Sequence, residues 1–432
     1  MNNDERPMID PSLLRGMTQR RLSRRGFMRA AGVGAGALSL SALLAACGGG
    51  DTTGGTAGST GGQTVDFTGE ASGNVNFANW PAYIDKSKDA SGEKYSPSLR
   101  GFTQETGITV NYQEVIDSNP EFFARIRPQL EAGDDTGWDL IVITNSQQLT
   151  ALLANGWVVE LDPSLRPNFD KHAADWAKSP NFDPGNKYTM CWQSGITGIG
   201  YNTNLVKAPI LSLDDLADPN KVPPSSVGML KSDMPDFVMI NLGIDPKTSG
   251  PEEWQEAADW LLMQRETGVV RQYYEQGYLD DITTNNLAAS MAWSGDILYN
   301  KIWIGLPLEF VMPEGGALLW IDNMMIPVNS ANPVATYQYM DSVYVPETAQ
   351  MITEWVQYMS PVPEVQELIK KHAEEQEAKG YKGYANKLAL TAESEFLWPS
   401  KEFLSKTSFA RDLTTDEEID EYNSIFLPIS QS

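Results

Sequence analysis

Four short stretches of this chain carry between them tryptophan, tyrosine and aspartate, a combination suited to organic cations. They are Asn79-Trp80-Pro81-Ala82-Tyr83, Leu230-Lys231-Ser232-Asp233-Met234-Pro235-Asp236, Met291-Ala292-Trp293-Ser294-Gly295-Asp296, and Leu318-Leu319-Trp320-Ile321-Asp322 running on to Pro327. An aromatic face attracts an ammonium group and packs on methylenes, at about 0.5–2 kcal/mol per contact. A carboxylate takes charge-assisted hydrogen bonds from N–H donors. Walls of Trp80, Tyr83, Trp293 and Trp320 with acids at their ends would fit a flexible diamine or polyamine. Asp322 carries the sharpest expectation. In a strand it shares a face with Trp320. No Lys or Arg lies within ten residues on either side of it. A buried, ionised Asp322 therefore needs a cationic partner from elsewhere. Each stretch also has a plainer reading. The Trp80–Tyr83 turn could pack on its own domain, and Trp293 into a core. Asp233 or Asp236 could cap a helix over Phe237–Leu242. Asp322 could end an exposed strand.

Other chemistries lack the residues. The only cysteines are Cys47 and Cys191 and the only histidines His172 and His372, too few for a disulfide framework or a His/Cys metal site. Both histidines are expected at the surface, and Cys191, in an apolar run, in a core. No phosphate-binding loop, zinc-protease helix or nucleophile elbow appears. No catalytic residue and no cofactor are expected. Over 432 residues, 32 basic against 57 acidic side chains give a charge of −25, which repels nucleic acid and suits cationic ligands.

The elements that would position these residues alternate. Val75–Asn79, Ile108–Gln113 and Asp139–Ile143 read as strands. Between and after them, Ser98–Gly107, a helix opening at Asn119-Pro120-Glu121, and Gln147–Ala154 read as helices. Pro128 is expected to kink the second helix or end it before Leu130. This order predicts an α/β fold, with ligand groups in turns at the carboxyl ends of strands. Further on, Ser249 and Glu252 suggest a capping box for a helix burying Trp254, Ala257, Ala258 and Leu261. Pro363–Lys379 reads as a charged helix.

The first residues read as an address and an anchor. Arg24-Arg25-Gly26-Phe27-Met28 precedes an apolar stretch, Ala30–Ala46, that is too short to span a membrane. It ends in Leu44-Ala45-Ala46-Cys47. This is the pattern of a twin-arginine signal over residues 1–46, joined to a lipidation site at Cys47. Cleavage there would remove seven basic and three acidic side chains, turning 32 and 57 into 25 and 54, a charge of −29. Residues 47–73 are rich in Gly, Thr and Ser and read as a flexible tether.

The body resembles the periplasmic polyamine (spermidine/putrescine)-binding proteins of bacterial ABC transporters. The resemblance rests on Trp80-x-x-Tyr83, Asp233-x-x-Asp236, Trp293-x-x-Asp296 and Trp320-x-Asp322, in that order, with Thr197-x-Ile199-Gly200-Tyr201 and Pro361-Val362-Pro363. It implies a type II periplasmic-binding-protein fold, two α/β lobes joined by crossover hinge segments. Lobe 1 is placed at 74–195 and 321–368, lobe 2 at 196–320 and 369–432. The ligand set it implies is Trp80, Tyr83, Asp233, Asp236, Trp293, Asp296, Trp320 and Asp322, with Tyr358 as a further wall and Ser146 as a loop contact. Asp296 and Asp322 would hold one ammonium, Asp233 or Asp236 a distal one. The sequence departs from the family at Pro81-Ala82, where an acid is usual. The implied protein is a monomeric lipoprotein on the outer face of the cytoplasmic membrane. It would hand its ligand to a permease driven by a separate ATPase. The alternatives are the same fold binding an opine, an amino-sugar or another amine, and a surface sensor or interaction protein.

Overall fold

A computed structural model of the chain describes residues 63–431. The twin-arginine run, Cys47 and the tether to residue 62 lie outside the described residues. The tether nevertheless ends earlier than residue 73. Gln63–Thr64 pairs in parallel with Val159–Glu160. Phe67 is buried, its ring 5.0 Å from that of Tyr337. Val65 and Phe67 are the apolar residues that the Gly/Thr-rich composition hides.

One twisted sheet runs through the molecule. Its strands lie in the order Val270–Tyr274, Val227–Leu230, Ala289–Trp293, Met190–Asn202, Ala317–Met325, Leu140–Thr144, Asn74–Asn79 and Thr109–Glu114. Asn74–Asn79 is parallel to both Thr109–Glu114 and Leu140–Thr144. Leu140–Ile143 is buried, as an apolar strand covered on both faces must be. The helices expected between these strands form at Pro97–Thr106, Asn119–Ala132 and Gln147–Ala154. Ser96 and Ser118 cap the first two, and Gly107 and Gly133 close them in left-handed backbone. Pro128 does not end its helix, which runs on to Ala132. Pro128 lies on the exposed side, where water can take the carbonyl that its missing N–H leaves unpaired.

Two large cores sit on this sheet. One gathers Phe77, Phe102, Trp192, Met324 and Tyr339. The other gathers Ile199, Met229, Phe237, Trp254 and Ile297. Two long antiparallel strands, Met190–Asn202 and Ala317–Met325, cross from one core to the other, with Gly195 opposite Trp320 midway. The expected lobe boundary is corrected near the C-terminus. Residues from 369 onward were placed in lobe 2, but Ile369, Ala373, Tyr384, Leu388 and Ala392 join the first core. The chain reaches the second only with Phe396, Phe403, Leu413 and Phe426. An amphipathic helix shows that it buries a face, not which core receives it.

The capping box shifts by one residue. Gly250 is the N-cap, and its N–H donates to Glu253 Oε2 at 3.0 Å. Ser249 Oγ instead accepts from Trp254 Nε1 at 2.9 Å. Trp254, Ala257, Ala258 and Leu261 are buried as expected.

Candidate ligand-binding site

The two long strands bring the site together. Asp322 follows Trp320 on Ala317–Met325 and is 6% exposed. Its Oδ2 accepts from Tyr83 Oη at 2.7 Å and its Oδ1 from Thr144 Oγ1 at 2.7 Å. Thr144 closes Leu140–Thr144, directly opposite Asp322 in the sheet. No Lys or Arg among the described residues pairs with Asp322. Burial pushes its pKa up to about 6, and the charge of Asp233 adds to the rise. The two hydroxyls act in the opposite sense.

From Asp322 the contacts run on through rings. Tyr83 meets Tyr358 edge-on at 5.4 Å, and Tyr358 meets Trp320 at 5.3 Å. Tyr358 Oη donates to Asp296 Oδ1 at 2.9 Å, and Tyr278 Oη to Asp296 Oδ2 at 2.8 Å. Tyr278 Oη also accepts the backbone N–H of Trp293 at 3.0 Å. Trp293 Nε1 in turn donates to Asp233 Oδ2 at 3.0 Å. Thr197 Oγ1 donates to the same Asp233 oxygen at 2.5 Å. Asp233 stands at the N-cap of Met234–Asn241, yet its side chain does not cap that helix. It faces Thr197 and Trp293 instead.

Three other expected residues sit differently. Trp80 is half-buried, and its Nε1 donates to Val142 O at 3.2 Å. Ser146 Oγ donates to Gln148 Oε1 at 3.2 Å. Asp236 turns away from the cluster. Its oxygens accept the Arg411 N–H at 2.9 Å and the Tyr422 hydroxyl at 3.3 Å, tying Met234–Asn241 to the C-terminal segment. Burial raises Asp236 to about 7, and Asp233 adds to this. The Pro81-Ala82 departure leaves Ala82 in left-handed backbone at φ 56. Its N–H donates to Glu114 Oε1 at 3.0 Å, and Glu114 also pairs with Lys86. The acid that accepts this N–H thus comes from a strand end and already holds a cation.

Several residues given no ligand role by the sequence complete the cluster. Thr144, Thr197 and Tyr278 supply hydroxyls to the three acids. Gly195 and Gly295 supply room. A Cβ on Gly195 would stand 2.6 Å from the Trp320 ring, and one on Gly295 2.6 Å from the Tyr358 ring. The group that approaches Gly295 is Tyr358. Trp320 Nε1 and Gln193 Oε1 are among the buried side-chain polar atoms without a partner among the described residues. Both histidines bond to glutamates, and Cys191 is buried.

This architecture, two α/β cores with polar and aromatic groups gathered where long strands pass between them, is that of a type II periplasmic binding protein. Residues 99–382 match the family described as bacterial extracellular solute-binding protein, and the chain belongs to it. Among curated relatives, spermidine/putrescine-binding periplasmic protein 1 of Haemophilus influenzae is 26% identical over 73% of this chain and 83% of its own length. The putrescine-binding periplasmic protein PotF of Escherichia coli is 28% identical over 66% of this chain and 76% of its own. The spermidine/putrescine transporter substrate-binding protein PotD of Streptococcus pneumoniae shares the fold, with a TM-score of 0.64 at 23% identity over 83% of this chain and 99% of that one.

Proposed function

We propose that this chain captures polyamines of the spermidine and putrescine type and delivers them to an ABC permease driven by a separate ATPase. The observation that carries this reading is Asp322. It is a buried carboxylate held by two hydroxyls, with no cationic side chain, among Tyr83, Tyr358 and Trp320. A protein that builds such a site leaves the counter-charge to its ligand. The names of the relatives supply the class of cation. Trp80, Tyr83, Trp293, Trp320 and Tyr358 wall the alkyl chain. Asp322 and Asp296 hold one ammonium, and Asp233 the distal one. Asp236 and Ser146 are given no ligand contact. The protein performs no chemistry of its own. It is exported through the twin-arginine run, anchored by lipid at Cys47 and works as a monomer outside the cytoplasmic membrane. Residues from 63 to near 195 and from 321 to near 392 form lobe 1, with the remainder of the body as lobe 2.

One observation favours a second reading. Trp320 Nε1 is a buried donor without an acceptor. A polyamine brings none. An amine that also carries a carbonyl or carboxylate, such as an opine, would satisfy it. Titration of the tryptophan fluorescence separates the two. Saturable binding of putrescine or spermidine that is lost in Asp322→Asn, with the fold intact, supports the first. Wild-type affinity in Asp322→Asn refutes it. Binding confined to carboxylated amines selects the second.

A further inference from the structure

Gln193 lies on the strand Met190–Asn202 directly opposite Asp322. Opposed residues of an antiparallel pair share a face of the sheet. The face holding Gln193 and Asp322 also holds Gly195 and Trp320, two residues along each strand. A register shift falls between Asp322 and Asn323, so Trp192 is left without an opposed residue next to Gln193. Gln193 is 1% exposed. Its Oε1 is buried with no donor among the described residues. Every acid of the cluster has its hydroxyls: Tyr83 and Thr144 on Asp322, Tyr278 and Tyr358 on Asp296, Thr197 on Asp233. The unmet acceptor in this neighbourhood is the Gln193 carbonyl.

A buried acceptor without a donor destabilises the protein that carries it. An apolar side chain of the same length would remove that burden, and Met is such a side chain. A primary ammonium brings three N–H donors to one point. Asp322 alone, approached from one side, satisfies one or two of them. A neutral carbonyl beside the carboxylate takes another and adds no second charge to be desolvated.

We infer that Gln193 is a specificity-determining residue of the site, its amide oxygen accepting an N–H of the bound amine next to Asp322. This rests on the amine-binding reading above. It predicts a preference at this end for a primary ammonium over a quaternary one, which has no N–H to give.

The test compares wild type with Gln193→Met by isothermal titration with putrescine and by thermal unfolding without ligand. The expected result is a Kd for putrescine about tenfold to a hundredfold weaker in Gln193→Met, as for loss of one hydrogen bond to a charged group. The ligand-free Tm should be unchanged or raised, because the variant buries no unmet carbonyl. An unchanged Kd, or a lowered ligand-free Tm with an unchanged Kd, overturns the inference and leaves the amine reading standing. If wild type itself binds neither putrescine nor spermidine, both fall. Should Gln193→Met fail to fold, the structure of wild type with putrescine decides. An ammonium nitrogen within hydrogen-bonding distance of Gln193 Oε1 supports the proposal, and a Gln193 turned to a protein donor overturns it.

Discussion

Asp322 ties amine binding to pH in a direction that can be worked out. Its pKa without ligand is pushed up to about 6, chiefly by burial. An ammonium ligand keeps its charge throughout the neutral and mildly acidic range, since alkyl amines titrate near pH 10. Binding therefore requires ionised Asp322, and protonation competes with the amine. With the site half-protonated at about pH 6, affinity at pH 7 falls short of its maximum by about a tenth. At pH 5 it is about elevenfold weaker, close to 1.4 kcal/mol. Stability of the ligand-free protein moves the other way. Asp322 binds its proton more tightly folded than unfolded, so stability falls as pH rises from about 4 to about 6 and is regained on acidification. Asp236, raised to about 7, acts in the same sense over a window reaching about pH 7. Between pH 7 and pH 5 the ligand-free protein should gain about 1 kcal/mol from Asp322 and about 2 from Asp236. Few groups give opposite pH trends for affinity and ligand-free stability. Calorimetric titration with putrescine at several pH values, beside denaturant unfolding of the free protein, measures both. Asp322→Asn should flatten the affinity profile at a low value. A wild-type Kd that is constant from pH 7.5 to pH 5, or an Asp322→Asn profile with the wild-type slope, refutes the assignment.

Two further outcomes follow from packing. Gly295→Ala puts a Cβ at 2.6 Å from the Tyr358 ring, which must move and release Asp296. Overpacking of this kind is destabilising by about 1–3 kcal/mol. Amine affinity should fall at least tenfold, and a variant with wild-type Kd and Tm contradicts the close approach. Phe67→Ala removes a ring that packs on Tyr337, and neither residue is one of the site residues. It should lower unfolding stability by about 3 kcal/mol and leave Kd within about twofold. A loss below about 0.5 kcal/mol would return residues 63–72 to the tether.

What could be read from the sequence was what depends on local pattern. Gln147–Ala154 and the apolar strand near Asp139 follow from periodicity, and Gly107 follows from the need for a left-handed closing residue. The pairing of Trp320 with Asp322 on one face needs only the period of a strand. What could not be read depends on partners far along the chain. Thr144 and Tyr278 are unremarkable residues until the register sets Thr144 opposite Asp322 and the fold sets Tyr278 beneath Trp293. Asp233 and Asp236 are alike in sequence, three apart at the head of one helix. A helix of 3.6 residues per turn sends them to neighbouring but different surroundings. One meets the tryptophan and the other the C-terminal segment. The boundary near residue 369 failed for the same reason.

The arrangement of hydroxyls explains how these acids can be buried and still receive a ligand. A carboxylate has about four lone-pair positions. Asp322 takes two protein hydroxyls, which leaves positions for an ammonium without displacing either of them. Tyr83 and Tyr358 also link the two acids edge to edge, so the first core reaches Asp296 of the second through Tyr358. The residues proposed to wall the ligand therefore also join the two halves of the molecule. Loss of the Tyr358 hydroxyl should weaken both functions together, whereas loss of Gln193 should weaken ligand binding alone.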